Sequence, residues 1–390
     1  MSPSDADPSA PFVTHEVFNQ PPPLAGHNAF ADLGVLAEAL EREGGGWAAD
    51  RARAFGAICG ASETIAQGFA ANANPPQLHT HDRTGRRIDE VEFHPSWHAL
   101  LGLGVAHGLH ALPWRERRPG AHVGRAALFI TLAQVEAGVG CPLSMTYSAF
   151  AALEGRGDLA DTWLPRFTSL DYDPRFQPAE GKRGALCGMA MTEKQGGSDV
   201  RANTTVARAV GPAGEHALTG HKWFCSAPMC DAFLMLAQAP AGLSCFLVPR
   251  FTPDGRRNAI HLQRLKDKLG NRSNASSEIE LRGAWGRLVG EAGHGVPTIL
   301  EMVNHTRLDC ALGSTAAMRQ AVAAAVHYAR HRSTFGRPLA SQPLMANVLA
   351  DLALEAEAAT VAVMRLARAY DEDDAPFRRL ATAVLKYWLC

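Results

Sequence analysis

Apolar residues recur at three- and four-residue spacing from about residue 28 to residue 170. Runs such as FADLGVLAEALERE and GRAALFITLAQVEAG predict helices. Pro-rich joints, NPPQ and HPSW among them, separate the runs. The stretch HTHDRTGRRIDEVEF is polar and is expected to cross the surface as a long loop. Near Gly184 the period shortens. ALCGMAMT, NTTVARA, HALTGH, AFLMLAQ, SCFLVP and SEIELR are short and β-rich, and Gly, Pro, Asn and Asp break them. Such a series predicts a compact β domain, a barrel in form. From Val296 the helical period returns. One long helix is expected to run to about residue 332 with Gly313 tolerated inside it. A second follows Pro343, DEDDAP makes a turn, and FRRLATAVLKYWLC begins a third. No cap follows that last run, so the pattern predicts a chain stopping in mid-element on Trp388, Leu389 and Cys390.

The expected class is a multidomain α+β protein. Its parts are a loose tail over 1–13, a helical domain over 14–184, a β domain over 185–290 and an incomplete helical bundle over 291–390. The length, 390 residues, exceeds what one core usually supports.

Composition narrows the functions. Hydrophobic residues make up 46% and charged residues 20%, as in ordinary globular enzymes. The net charge of −1 argues against a chain devoted to neutralising nucleic-acid phosphates. The eight cysteines include no CxxC pair, so zinc-ribbon and thioredoxin-like readings fail and reduced core thiols in a cytoplasmic protein are expected. The N-terminus lacks the basic start and apolar run of a signal peptide. No apolar run is long enough to predict a membrane span.

Three segments carry candidate chemistry. In Met189-Ala-Met191-Thr192-Glu-Lys-Gln-Gly196-Gly197-Ser198, a short strand delivers Thr192 to a Gly-Gly-Ser turn. Those glycines permit backbone angles that present N–H groups to an anion, and Ser198 adds a hydroxyl. Gly220-His-Lys-Trp-Phe224-Cys-Ser226 sets two aromatic rings beside a hydroxyl, suited to a flat redox ring. Arg332-Ser-Thr-Phe335-Gly, followed by Gln342, offers an Arg for a pyrophosphate and an aromatic for an adenine. Taken singly, the blander readings are a surface turn, a core pair and a basic helix end.

Together these segments resemble the acyl-CoA dehydrogenase superfamily. TEKQGGSDV is similar to its TEP-x-A-GSD segment, KWFCS to its K-x-W-I-T/S segment and RSTFG to its R-x-x-F-G segment; KDKLGNRSNASSEIEL resembles the strand closing its β domain. A closer resemblance, starting near Thr14, is to the alkylation-response (AidB-like) branch, carried by THEVFNQPPPL, NANPPQL, FHPSWH, VEAGVGCPLSMT and RLKDKLGNRSNAS.

The resemblance implies FAD between the β domain and the bundle. It implies that Met189, Met191 and Thr192 touch the flavin ring and that Ser198 holds the pyrophosphate. Phe224 and Ser226 would lie beside the isoalloxazine, with Ser226 near N5. Arg332, Phe335 and Gln342 would reach the cofactor of a neighbouring subunit, so a homotetramer is expected. The implied activity is α,β-dehydrogenation of an acyl-CoA, isovaleryl-CoA-like, with flavin as hydride acceptor. The alternative is a protein of DNA-alkylation damage with incidental dehydrogenation, binding DNA only through a C-terminal region beyond Cys390. A fragment unable to hold flavin is the blandest reading.

Neither family position for the catalytic base is filled. The E-G-T-like motif does not occur, and the isovaleryl-type position holds Thr306 beside Arg307. Asp309 lies one turn on. No catalytic residue is therefore assigned. Glu136 and Glu301 fall inside apolar helical patterns, where paired or solvent-facing roles are expected. Gly102-Leu-Gly104-Val-Ala-His-Gly108 lacks the strand–turn–helix setting of a dinucleotide fingerprint and reads as close helix packing. His79/His81 and His107/His110 lack completing ligands, so no metal site is expected.

Overall fold

The computed structural model describes residue 12 and residues 14–212, 214–372 and 374–390. Most of the tail expected over 1–13 therefore lies outside the described residues.

The N-terminal part contains α1 (Val35–Arg42), α2 (Ala49–Cys59), α3 (Ser62–Ala73), β1 (Gln77–His81), β2 (Arg87–Glu92), α4 (Pro95–Ala106), α5 (Leu112–Arg115), α6 (Ala121–Ala133), α7 (Gly140–Leu153) and α8 (Asp158–Phe167). α6 is buried on every side from Ala121 to Leu132, as its nearly unbroken apolar sequence dictates. Gly104 of α4 is needed for close packing: a side chain there would approach Leu143 Cδ1 to 2.6 Å.

The polar stretch after α3 is not a long loop. β1 and β2 pair antiparallel, with Gln77 opposite Glu92. Asp82 makes the turn by accepting hydrogen bonds from the Thr84 and Arg86 amides, and Gly85 supplies φ 81°. Arg87 donates to the Leu262 carbonyl, which ties the hairpin to the β domain. Polarity misled the reading because the buried face of β2 is Asp89 and Val91, and a buried Asp gives no apolar alternation to read.

The β domain is built from β3 (Cys187–Ala190), β4 (Val206–Ala209), β5 (Glu215–Ser226), β6 (Ala232–Ala239), β7 (Gly242–Pro249), β8 (Ile260–Leu265) and β9 (Ser276–Val289). The order β6-β4-β5-β9-β7 closes because β7 also pairs with β6, giving a barrel; β3 runs parallel to the first half of β6 and β8 pairs with β9. β6 and β7 are unbroken apolar runs, buried on both faces. One face lines the barrel interior, and α9 packs on both strands from outside.

The C-terminal part is α9 (Gly295–His331), the small hairpin β10 (Ser333–Thr334) and β11 (Arg337–Pro338), α10 (Pro343–Asp371) and α11 (Ala375–Leu389). α9 is a single 37-residue helix that includes Gly313. It packs on α7, α10, α6 and α11, and so joins the N-terminal helices, the barrel and the bundle.

Candidate functional site

β3 delivers Met189, and the chain beyond it leans on β5: the Trp223 amide donates to the Thr192 carbonyl at 2.8 Å. The β5–β9 register shifts between Lys222 and Cys225. This irregularity turns Cys225 into the core and leaves Phe224 49% exposed and Ser226 half-buried. Met189, Met191, Thr192, Phe224 and Ser226 then line one cleft of about 630 Å³. Its other wall comes from α6 (Phe129, Ala133), α7 (Cys141, Ser144, Met145) and α9 (Thr306, Asp309, Cys310, Gly313, Ala317). A 630 Å³ cleft with mostly apolar walls and a few hydroxyls is in the range of cofactor and substrate sites.

One buried ion pair organises the β side of this cleft. Lys222 Nζ lies 2.7 Å from Glu193 Oε1, with both side chains fully buried, and also donates to the Leu236 carbonyl. Glu193 accepts from the amides of Thr204 and Thr205 as well. Burial works to raise the Glu193 pKa, but the lysine and these hydrogen bonds prevail and hold it at about 2. Asn203 completes the frame by donating to the Met191 carbonyl at 2.8 Å. Gly197 approaches Thr192 so closely that a Cβ there would sit 2.8 Å from Thr192 Oγ1.

Among the described residues, Asp309 is the one side-chain carboxylate lining the cleft. It is gripped bidentately by Arg125 of α6, at 2.5 and 2.7 Å, with both side chains 1% exposed. The Arg125 guanidinium also lies 3.6 Å from the centre of the Tyr147 ring. A carboxylate with both oxygens so committed is a structural anchor. Thr306 also lines the cleft, and its hydroxyl donates to the Val303 carbonyl. Glu301 faces solvent. Glu136 is buried in the turn after α6, where it accepts from Ser273 Oγ at 2.5 Å and from the Val139 amide at 2.9 Å. His305, beside Thr306, packs against Tyr147 and Tyr370, and burial lowers its pKa to about 4, so it stays neutral. The cleft thus holds no free carboxylate among the described residues.

Four of the residues singled out from the sequence do not line the cleft. Ser198 is exposed in the turn after Gly197. Arg332, Phe335 and Gln342 surround the β10–β11 hairpin: Arg332 donates to the Asn19 carbonyl, Gln342 to the Thr334 carbonyl, and Phe335 is 98% exposed with φ 52°. His79 pairs with Glu92 across β1–β2, and His110 is buried against the Ser169 carbonyl. Among the described residues, no cluster of three His, Cys, Asp or Glu side chains is placed to hold a metal.

Sequence reasoning passed over Glu193, Lys222, Arg125 and Asn203. A signal existed for two of them. Lys222 shares its parity on β5 with buried Leu218, and Arg125 sits inside an otherwise apolar helix. A cation at an inward position demands a buried carboxylate, but nothing local says which one.

Comparisons agree with this geometry. Residues 19–174 match the adaptive response protein AidB N-terminal domain, 188–284 the acyl-CoA dehydrogenase middle domain and 293–390 the acyl-CoA dehydrogenase C-terminal domain. AidB of Escherichia coli (strain K12) is 49% identical over 383 residues, covering 97% of this chain and 71% of that protein. Acyl-CoA dehydrogenase family member 11 of Caenorhabditis elegans is 29% identical, covering 84% of this chain and 56% of that protein. The solved structure of Caenorhabditis elegans ACDH-11 in complex with C11-CoA superposes with a TM-score of 0.86 at 27% identity, covering 97% of this chain and 68% of that one. Butyryl-CoA dehydrogenase from Megasphaera elsdenii shares the fold, with a TM-score of 0.64 at 20% identity over 90% of this chain and 84% of that one. With its three domains matched in order and half its residues shared with AidB, this chain belongs to the acyl-CoA dehydrogenase family, in its AidB branch.

Proposed function

We propose that the cleft between barrel and bundle holds FAD and takes an acyl-CoA for α,β-dehydrogenation. The observation that carries this reading is the convergence of Met189, Met191, Thr192, Phe224 and Ser226, from two separate segments, on one cleft whose far wall is α7 and α9. The residues present fit the cofactor. Phe224 leaves half its ring surface open beside the Ser226 hydroxyl, as a face for a flat heterocycle does. The Gly197–Thr192 approach leaves no room for a Cβ and keeps the Thr192 hydroxyl at the rim.

When bound, FAD would supply the hydride acceptor for the acyl β-carbon; no described side chain is assigned to take the α-proton. The chain's own residues position and exclude. Thr192 and Ser226 orient the ring through hydrogen bonds, Phe224 packs on it, and Ser198 holds the pyrophosphate in the glycine turn. Phe129, Ala133, Met145, Gly313 and Ala317 form apolar walls suited to an acyl chain. The C11-CoA of the ACDH-11 structure supports that substrate class. Arg332, Phe335 and Gln342 point to a neighbouring subunit's cofactor in a homotetramer. The open Phe335 ring and the exposed Leu344, Val348 and Leu352 on α10 support a further copy covering this face. The eight free cysteines support a reducing, cytoplasmic setting.

A second reading, an AidB-like role in the response to DNA alkylation, is favoured by one observation: the cleft's one carboxylate is neutralised by Arg125. The test is direct. Purified protein should show flavin absorption bands, and isovaleryl-CoA should bleach them anaerobically. Protein that takes up no FAD sinks both readings; a flavoprotein that no acyl-CoA bleaches leaves the second.

A further inference from the structure

The Ser226 hydroxyl faces two protein groups besides the cleft. Ser276 Oγ lies 3.2 Å away across the β5–β9 ladder, where the two residues are register partners. The Cys141 thiol, on the first turn of α7, is the neighbour of Ser226 in the lining of the same cleft. A serine hydroxyl has one proton to donate and two lone pairs to accept with. On the reading proposed above, FAD places its N5 at Ser226. Oxidised N5 offers a lone pair, so the hydroxyl there must donate. Reduced N5 carries hydrogen, so the same hydroxyl must accept, and its own proton then needs another acceptor. A thiol sulfur is a weak one. Ser276 Oγ is the strong acceptor within reach.

We infer that Ser276 is a positioning residue for the redox cycle, a partner that lets the Ser226 hydroxyl turn around when the cofactor is reduced. With oxidised cofactor Ser276 donates to Ser226 and Ser226 donates to N5. With reduced cofactor both hydrogen bonds reverse, and the Ser276 proton turns to the water-accessible cleft that half-buried Ser276 also lines. No bond other than these hydrogen bonds is made or broken. Loss of the Ser276 hydroxyl leaves the oxidised arrangement nearly intact but orphans, in the reduced one, a donor that the bound cofactor covers, an asymmetric penalty.

The test is the midpoint potential of the FAD-loaded full chain, with FAD affinity measured beside it. Ser276→Ala should lower the reduced-to-oxidised equilibrium constant roughly tenfold, about 30 mV for a two-electron couple. Its affinity for oxidised FAD should stay within about twofold of wild type, well short of the one-hydrogen-bond loss. Ser276→Thr, which keeps the hydroxyl, should restore the potential. A Ser276→Ala holoprotein at the wild-type potential overturns the inference. So does a shift that Ser276→Thr shares, since bulk rather than the hydroxyl would then be responsible. Wild-type protein that fails to bind FAD is a separate failure and refutes the cofactor reading itself.

Discussion

Glu193 and Lys222 meet at 2.7 Å inside the barrel, each with a fully buried side chain, and so fasten the two cofactor segments of the sequence to each other. The Thr192 carbonyl and Trp223 amide, the adjacent residues, are hydrogen-bonded beside them. The placement of Thr192 relative to Ser226 depends on this pair.

Lys222→Met should therefore destabilise the protein by about 3–5 kcal/mol, because Glu193 is left charged and buried. Urea unfolding measures it. The double change Glu193→Leu with Lys222→Met should recover part of that loss, and only part, because the amides of Thr204 and Thr205 lose their acceptor. The pair also sets an acid limit. The Glu193 pKa is depressed in the fold, so its contribution is complete above the ordinary glutamate value near 4.5 and fades as pH falls towards about 2. The wild-type-minus-double-mutant stability difference should shrink through that window. A difference flat from pH 6 to pH 2.5 would contradict the assignment.

At the cofactor turn, Gly197→Ala should weaken FAD binding without unfolding the chain. The new methyl would press on Thr192 Oγ1 from 2.8 Å and rotate its hydroxyl away from the cleft. Losing one such hydrogen bond corresponds to roughly tenfold in affinity. Fluorescence titration of apoprotein with FAD reads this, and unchanged affinity would remove Thr192 from the binding set.

Thr306 lines the cleft where no free carboxylate stands. Thr306→Glu should install a base there, and its half-buried setting should raise the acid's pKa towards neutrality. Flavin bleaching by isovaleryl-CoA should then accelerate about 100-fold. Asp309→Glu should give no such gain, because Arg125 holds that site. Equal rates for wild type and Thr306→Glu would mean that the thioester α-carbon lies elsewhere.

Asp371, the last residue of α10, caps a helix far from it in sequence. Its carboxylate accepts the amides of His122 and Val123 at the start of α6. Burial raises its pKa to about 6. An acid whose folded pKa lies above its unfolded value binds more protons in the fold, so its share of stability falls as pH climbs from about 3.8 through about 6. Asp371→Asn removes that titration. The variant should lose less stability than wild type between pH 4 and pH 7, and thermal unfolding at several pH values measures the difference.

Periodicity located α1, α6 and the long C-terminal helices and six of the seven barrel strands; β8 was not read from it. The 37-residue α9 was legible because apolar spacing continues unbroken through Gly313. The β1–β2 hairpin was not legible, because its strands are polar and its stability lies in the Asp82 turn and in long-range bonds, from Arg87 to the Leu262 carbonyl and from Arg257 to Glu90. The cofactor segments were visible as motifs, and Met189, Met191, Thr192, Phe224 and Ser226 do converge on one cleft.

The sequence by itself determined most of the helices and barrel strands and marked two segments whose residues meet at the cleft, because both depend on short-range spacing and on residue type. Only the tertiary structure decided that Lys222 belongs to Glu193, that Arg125 silences Asp309 and that Ser276 stands behind Ser226. These pairs are 29, 184 and 50 residues apart along the chain. Ion pairs and hydrogen bonds act over a few ångströms, so their partners exist only once the barrel has closed and α9 has packed against α6.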